Sequence, residues 1–320
     1  MKYLITGANG FVGRELCRRL IEAGDTVTTL DNCRYEASRL GAWEAKGLRF
    51  CQGDIRKPAD VLSAVQTAQP DAIIHLAALH YIPECENDAV LAAETNIVGT
   101  INLLNACPAG CHFVCTSSGA VYAPSDEPHR EDSSLIGPSD VYGYTKLHAE
   151  QFTAYYAAKR GFPATIVRLF NVVGEGETSP HLIPEIMAQL RSGMKTLRLG
   201  TLSTRRDYID VRDVAEGFHR LAKKFEAKQS AVQISNLGTG VMHSGDEVME
   251  MIRAASGIPF KVETDPARVR PVDRPNLAAD TTKLRARVGW VPSTPLAECL
   301  RRTWREPLLP RSLLVKYQLS

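Results

Sequence analysis

A chain of 320 residues with 23% charged, 44% hydrophobic and 7% aromatic side chains has an ordinary globular composition, which excludes disorder, collagen and coiled coil. The formal net charge of +2, with basic stretches such as Arg205-Arg206 short and isolated, argues against nucleic acid as a partner. No apolar run reaches the roughly 18–20 residues that span a bilayer, Met1–Gly7 runs into a glycine turn with no room for a signal peptide, and eight scattered cysteines read as cytosolic thiols, so a cytoplasmic location is expected.

From the N-terminus, strand-like and helix-like runs alternate. Tyr3–Thr6 reads as a strand, Arg14–Ala23 as a helix and Thr26–Leu30 as the second strand. Further strands are expected at Arg49–Cys51, Ala72–Leu76, Phe113–Thr116 and Ala164–Phe170, and helices at Ala59–Ala68, Leu91–Ala106 and Ser139–Lys159. Alternation of this kind implies α/β class, a doubly wound parallel sheet covered on both faces. Beyond Phe170 the pattern becomes irregular and turn-rich. The expected organisation is a dinucleotide-binding domain over residues 1–170, with part of 200–240 returning to it, and a smaller mixed substrate lobe over 171–320, interleaved with the sheet. Cys107, Cys111 and Cys115 recur every four residues, but Pro108-Ala109-Gly110 breaks any helix there. Structural thiols are expected, and no metal site.

Gly7-Ala8-Asn9-Gly10-Phe11-Val12-Gly13 follows the first strand and opens the first helix. That is the context in which backbone approaches a pyrophosphate and helix N–H groups face it. Asp31 closes the second strand, where a carboxylate accepts hydrogen bonds from the adenosine ribose and repels a 2′-phosphate, favouring NAD over NADP. Arg34 nearby argues the other way.

Tyr142-x-x-x-Lys146 places a phenol and an ammonium on one helical face. A lysine close to a phenol stabilises phenolate and is expected to lower its pKa into a useful general-base range. Ser118 lies 24 residues upstream, at the predicted end of a parallel strand, where such folds place their chemistry.

With these motifs the chain resembles the extended short-chain dehydrogenases/reductases, in their nucleotide-sugar epimerase/dehydratase branch, over essentially its whole length. The matching segments include Gly53-Asp54-Ile55-Arg56, His75-Leu76-Ala77-Ala78, Asn96-x-x-Gly99-Thr100, Arg168-Leu169-Phe170-Asn171, Arg206-Asp207-Tyr208-Ile209, Asn236–Gly240 and Arg270-x-x-Asp273. The resemblance implies a Rossmann sheet with NAD as cofactor. It assigns to the cofactor Gly7, Gly10, Phe11, Val12, Gly13, Asp31, Asn32 and Arg34. Asp54 and Ile55 would hold the adenine, Leu76, Ala77 and Ala78 the phosphates and ribose, and Asn96 would support cofactor and active-site helix. Tyr142 would move the proton of a sugar hydroxyl, Lys146 would hold the nicotinamide ribose, and Ser118 would hydrogen-bond the reacting oxygen. Asn171, His181, Leu182, Arg206 and Arg270 match positions that grip a nucleotide diphosphate, two arginines and an amide being well suited to that charge. Asp273 either orients Arg270 or contacts the nucleoside ribose.

Departures from the branch discriminate between chemistries. Sugar dehydratases and decarboxylases carry an acid just before the Val-Tyr of the Ser118 segment; here Gly119 and Ala120 stand there, which disfavours 4,6-dehydration. His80 stands where some 4-epimerases have lysine, and either contacts cofactor or substrate or packs in the core. Glu84 and Glu86 either approach the sugar or are solvated loop acids, the latter reading being preferred for Glu86. The expected function is NAD-dependent epimerisation of a nucleotide-diphosphate sugar, a UDP-sugar favoured, at C4 through a 4-keto intermediate. A 4-ketoreductase or other nucleotide-sugar oxidoreductase is the alternative, and a non-catalytic dinucleotide sensor the reading from another class. Leu91–Ala106 and Ser139–Lys159 show more apolar character than one packing face requires, and relatives pair such helices across a two-fold axis, so a homodimer is expected.

Overall fold

The computed structural model describes residues 1–224, 232–269 and 274–319. Arg270 and Asp273 lie outside the described residues. Among those described, seven parallel strands form the central sheet: β1 (Lys2–Thr6), β2 (Thr26–Asp31), β3 (Arg49–Gln52), β4 (Ala72–His75), β5 (His112–Ser118), β6 (Ala164–Leu169) and, after an excursion, β10 (Gln233–Leu237). Their spatial order is β10-β6-β5-β4-β1-β2-β3. The order reverses between β1 and β4, and a ligand crevice opens at the carboxyl ends of strands at such a switch point. Register holds it there: Thr6 pairs with Leu30 on one side and His75 on the other.

The strands are apolar on both faces because helices cover both. One face packs Phe11–Glu22 against Val211–Lys223, with Leu16, Cys17, Leu20, Val214, Phe218 and Leu221 fully buried. The other carries Pro58–Ala68, Gly99–Ala106 and Val141–Arg160, with Ile73, Leu103, Leu104, Phe113 and Ile166 between helices and sheet. Cys107, Cys111 and Cys115 are buried in this second layer. Among the described residues no group of three His, Cys, Asp or Glu side chains is placed to hold a metal, and no helix is long and apolar enough to cross a membrane.

The expected helix at Leu91–Ala106 begins at Ala89 and contains a π turn at Glu94–Val98, which sets Asn96 apart from the regular helical face. The catalytic-motif helix runs over Val141–Arg160, started by the Asp140 carboxylate accepting from Gly143 N (2.7 Å) and stopped by Gly161 in the left-handed region.

The remaining elements stand over the carboxyl ends of the sheet. β7 (Asn171–Val173), β9 (Arg205–Asp210), β11 (Met242–Ser244) and β13 (Asn276–Leu277) form one small sheet; β8 (Thr196–Leu199) pairs with β12 (Lys261–Thr264) in another. Helices Leu182–Arg191, Gly245–Ser256, Leu296–Arg305 and Arg311–Tyr317 enclose their own core around Ile186, Leu197, Val248, Leu300 and Leu313.

Candidate active site

A cavity of about 1290 Å³ runs from the glycine loop to the C-terminal lobe. Its floor is the switch point. Gly7 has φ +73°, and a Cβ there would lie 2.6 Å from the backbone nitrogen of Ala77. A Cβ on Gly13 would lie 2.2 Å from the carbonyl of Gly7. Only glycine lets these segments close up. The helix that follows has no side-chain cap at Gly10 and no acid in its first turn, so its leading N–H groups are left for an anion. The cradle therefore fits the pyrophosphate of a dinucleotide on its own geometry.

Asp31 stands beside it. Its carboxylate accepts from Asn9 N (2.8 Å) and Cys33 N (2.7 Å), and burial raises its pKa. Each oxygen keeps a further lone pair for ribose hydroxyls. Arg34 does not turn toward that carboxylate. Its guanidinium binds Glu84 (2.6 Å), which also accepts from the Tyr35 hydroxyl (3.0 Å). Glu84 is thus spent on a surface ion pair. Glu86 is not merely a solvated acid: it accepts from Val141 N (2.8 Å) at the start of the catalytic-motif helix. No local sequence signal links those positions.

Two expected cofactor ligands fall outside the cavity lining. The Asp54 carboxylate is gripped by Arg56 (2.6 Å), which holds its pKa down at about 2, and also meets Asn32 (3.4 Å); the neighbouring Ile55 is the one that lines the cavity. Asn96 is 1% exposed and acts one layer back. Its Nδ2 donates to Leu79 O (2.8 Å) and Thr145 Oγ1 (2.9 Å), while its Oδ1 accepts from Leu79 N (2.8 Å). It fixes the Leu76–His80 segment to the catalytic-motif helix.

Ser118, Tyr142 and Lys146 meet at the inner wall of the same cavity. The Ser118 hydroxyl accepts from Ala120 N (3.1 Å), and its closeness to the Tyr142 phenol acts to lower that group's pKa. Lys146 is 4% exposed and donates from Nζ to the carbonyl of Thr116 (2.8 Å), 5.9 Å from the centre of the Tyr142 ring. The expected lowering of the phenol is not what this arrangement produces. Burial raises Tyr142, outweighing the influence of Ser118, and burial lowers Lys146. The reason is that desolvation penalises both charged forms while the ammonium is spent on a carbonyl. Behind them lies a buried ion pair that motif spacing does not reveal: Arg168 binds Glu150 (2.9 and 2.7 Å), and Ser117 donates to the same carboxylate.

The outer wall carries the expected substrate positions. Asn171 is exposed on β7. His80 meets Ser179 Oγ (3.2 Å), and burial holds its imidazole neutral, with its pKa pushed down to about 3. The His181 ring lies 5.8 Å from it, 5.5 Å from Tyr81, and is bonded at Nδ1 by the buried Glu177. Leu182 and Arg206 face the same space; Arg206 donates to the carbonyls of Arg205 (2.9 Å) and Pro275 (3.3 Å). Ser312, Leu313 and Lys316 of the last helix also line it, and nothing in their sequence spacing points there.

Comparison with known proteins gives one consistent result. The profile of the NAD dependent epimerase/dehydratase family matches residues 3–238. A UDP-glucose 4-epimerase of Rhizobium leguminosarum bv. trifolii is 33% identical over 326 residues, covering 94% of this chain and 95% of its own. A GDP-6-deoxy-D-mannose reductase of Pseudomonas aeruginosa is 28% identical over 94% of this chain and 95% of its own. The crystal structure of a Thermus thermophilus UDP-glucose 4-epimerase in complex with NAD superposes with a TM-score of 0.83 at 30% identity, covering 96% of this chain and 98% of that one.

Proposed function

The chain belongs to the NAD dependent epimerase/dehydratase family, and on that premise we propose that it epimerises a nucleotide-diphosphate sugar, a UDP-sugar favoured, at C4 through a transient 4-keto sugar. The observation that carries this reading is the meeting of Ser118, Tyr142 and Lys146 beside the glycine cradle, with no titratable group at 119 or 120. Bound NAD supplies a hydride acceptor and then its donor, together with the pyridinium charge of its oxidised form. The Tyr142 phenolate takes up the proton of the sugar 4-hydroxyl, and the phenol so formed returns it to the same oxygen. Ser118 donates a hydrogen bond to that oxygen. Lys146, which donates to the Thr116 carbonyl, would also hold the ribose of the bound cofactor, and its positive charge near the buried phenol works against the desolvation that raises it. Phe170 and Leu277 add apolar surface to the same cavity, which suits a keto sugar that must turn over before reduction.

Elimination chemistry finds no acid at 119 or 120, and a Cβ on Gly119 would lie 3.2 Å from the Phe170 ring, which would have to give way to a larger side chain. Glu84 holds Arg34 away from the Asp31 carboxylate, which favours NAD over its 2′-phosphate. A 4-ketoreductase is the second reading, supported by the reductase relative. The two separate in one experiment: incubate the purified protein with a panel of UDP-, GDP-, CDP- and dTDP-sugars without added cofactor, and identify products by NMR. C4 epimers on endogenous NAD are expected. Turnover that appears only with added NADPH overturns the epimerase reading.

We assign cofactor binding to the parallel sheet with its returning segment, and the nucleotide sugar to the C-terminal lobe. A cytoplasmic location is supported by eight free thiols. A homodimer is supported by apolar side chains facing out from the two helices that flank the site: Val90 (70% exposed) and Val98 on one, Tyr144 and Tyr155 (56%) on the other. Ala92, Leu103, Leu104 and Ala157 of the same helical segments are buried in the subunit core. Light scattering across a concentration range tests it; a mass staying near 35.2 kDa at high concentration refutes it.

A further inference from the structure

Arg274 is a buried charge to which the proposed reaction gives no task. It is 7% exposed and comes from the C-terminal half, two residues before β13 in the chain. Its guanidinium nonetheless ends among the N-terminal motifs. Nη2 donates to the carbonyl of Ala120 (2.8 Å) and Nη1 to the carboxylate of Asp140 (3.3 Å).

Each acceptor governs one member of the reacting pair. The N–H of Ala120 donates to Ser118 Oγ (3.1 Å) within the tight turn Gly119–Val121. Asp140 starts the helix that carries Tyr142 at its second position. The two acceptors are brought together by Gly143, where a Cβ would lie 2.7 Å from the carbonyl of Ala120. The segment following Arg274 is fastened to the same loop: Asn276 binds Asp126 (2.9 Å), the backbone of His129 pairs with Ala278 and Asp280, and Leu277 packs with Val121, Tyr122 and Phe170. A planar fork with fixed donor directions can hold two such acceptors at once; an ammonium is a point charge and holds no fixed fork.

We propose that Arg274 is a positioning residue that sets Ser118 against Tyr142, so that the C-terminal lobe over the substrate cavity controls the registration of the chemical step. This rests on the reading of Ser118 and Tyr142 as the reacting groups. A site held 1 Å out of place loses about a hundredfold in rate, so kcat should fall by that order in Arg274→Met while KM stays within about threefold. Arg274→Lys should recover only part of the loss. Asp140→Asn keeps a competent helix cap but removes the ion pair; it should reproduce part of the effect, and the double variant should lose no more than Arg274→Met alone.

Hydrogen exchange on the holo-protein, with UDP as probe, reads the same registration without turnover. UDP should slow exchange in segments 116–123 and 140–147 of the wild type, and Arg274→Met should exchange about tenfold faster in both while NAD content and UDP affinity are kept. Unchanged exchange in both segments overturns the proposal. So does a raised KM with kcat kept, which would make Arg274 a substrate ligand. A wild type that turns over no sugar of the panel refutes the proposed function instead, and the exchange measurement still decides the role of Arg274.

Discussion

Replacing Asn96 by alanine tests the layer behind the cavity. The side chain makes three hydrogen bonds of 2.8–2.9 Å, two to the backbone of Leu79 and one to Thr145. The Thr145 hydroxyl keeps its own bond to the carbonyl of Tyr142 (2.8 Å) and loses only an incoming donor. Leu79 is 1% exposed, so its N–H would be left dry and unpaired, while its C=O would keep only the weak thiol donor of Cys85 (3.5 Å). The stranded N–H alone costs about 1–3 kcal/mol, taken from a total stability of about 5–15 kcal/mol. Asn96→Asp retains the acceptor for Leu79 N–H but offers no donor, and should fall between the two. Urea unfolding monitored by tryptophan fluorescence measures both. Because Leu79 anchors the segment that lines the cofactor cavity, the NAD carried through purification should also drop in Asn96→Ala. A midpoint shift worth less than about 1 kcal/mol, with NAD retained, would refute the view that this amide is the strut of the site.

Tyr142→Phe should leave fold and NAD content intact and lower turnover by at least about a hundredfold, the scale of one general acid/base; near-normal activity removes Tyr142 from its role. Asp31→Ala should weaken NAD and relax the exclusion of NADP, since the same carboxylate that can bind a ribose diol repels a phosphate; titration of the apo-protein with both cofactors checks this, and an unchanged preference refutes it. Stability should fall as pH drops from about 7.5 to about 5. Burial pushes His75 down to about 3 and His112 to about 4, so the unfolded chain binds protons below about 6.5 that the fold refuses. The loss at pH 5 is roughly 2 kcal/mol for each histidine, and His75→Gln should flatten the dependence of the melting temperature on pH; a wild-type midpoint indifferent to pH over this range refutes it.

Features that depend on near neighbours in the chain were legible. Alternating apolar runs of strand and helix length specify a parallel sheet, because buried strands and one-sided helices leave different spacings. The glycine loop and the Tyr142–Lys146 spacing were legible for the same reason: a turn geometry and a helical repeat are local. The departure at Gly119 and Ala120 could be read off as missing chemistry, and the tertiary structure adds that the Phe170 ring lies close against Gly119.

What depended on distant segments was not legible. Spacing brings Lys146 near the phenol, but the pKa of Tyr142 follows the water removed by the whole surrounding fold, and that reverses the expected direction. Asn96 carries the family pattern, yet its side chain is taken up by Leu79 and Thr145, and such competition is decided only when the packed partners are in place. Glu86 reaches Val141 across 55 residues, and Arg274 reaches Ala120 across 154. No periodicity encodes pairs so far apart. The sequence by itself determined the class of fold, the glycine cradle and the placing of Tyr142 and Lys146 on one helical face, all set by local backbone preference. Only the tertiary structure decided their protonation, their supports and their registration, because burial and long-range hydrogen bonds are properties of the assembled fold.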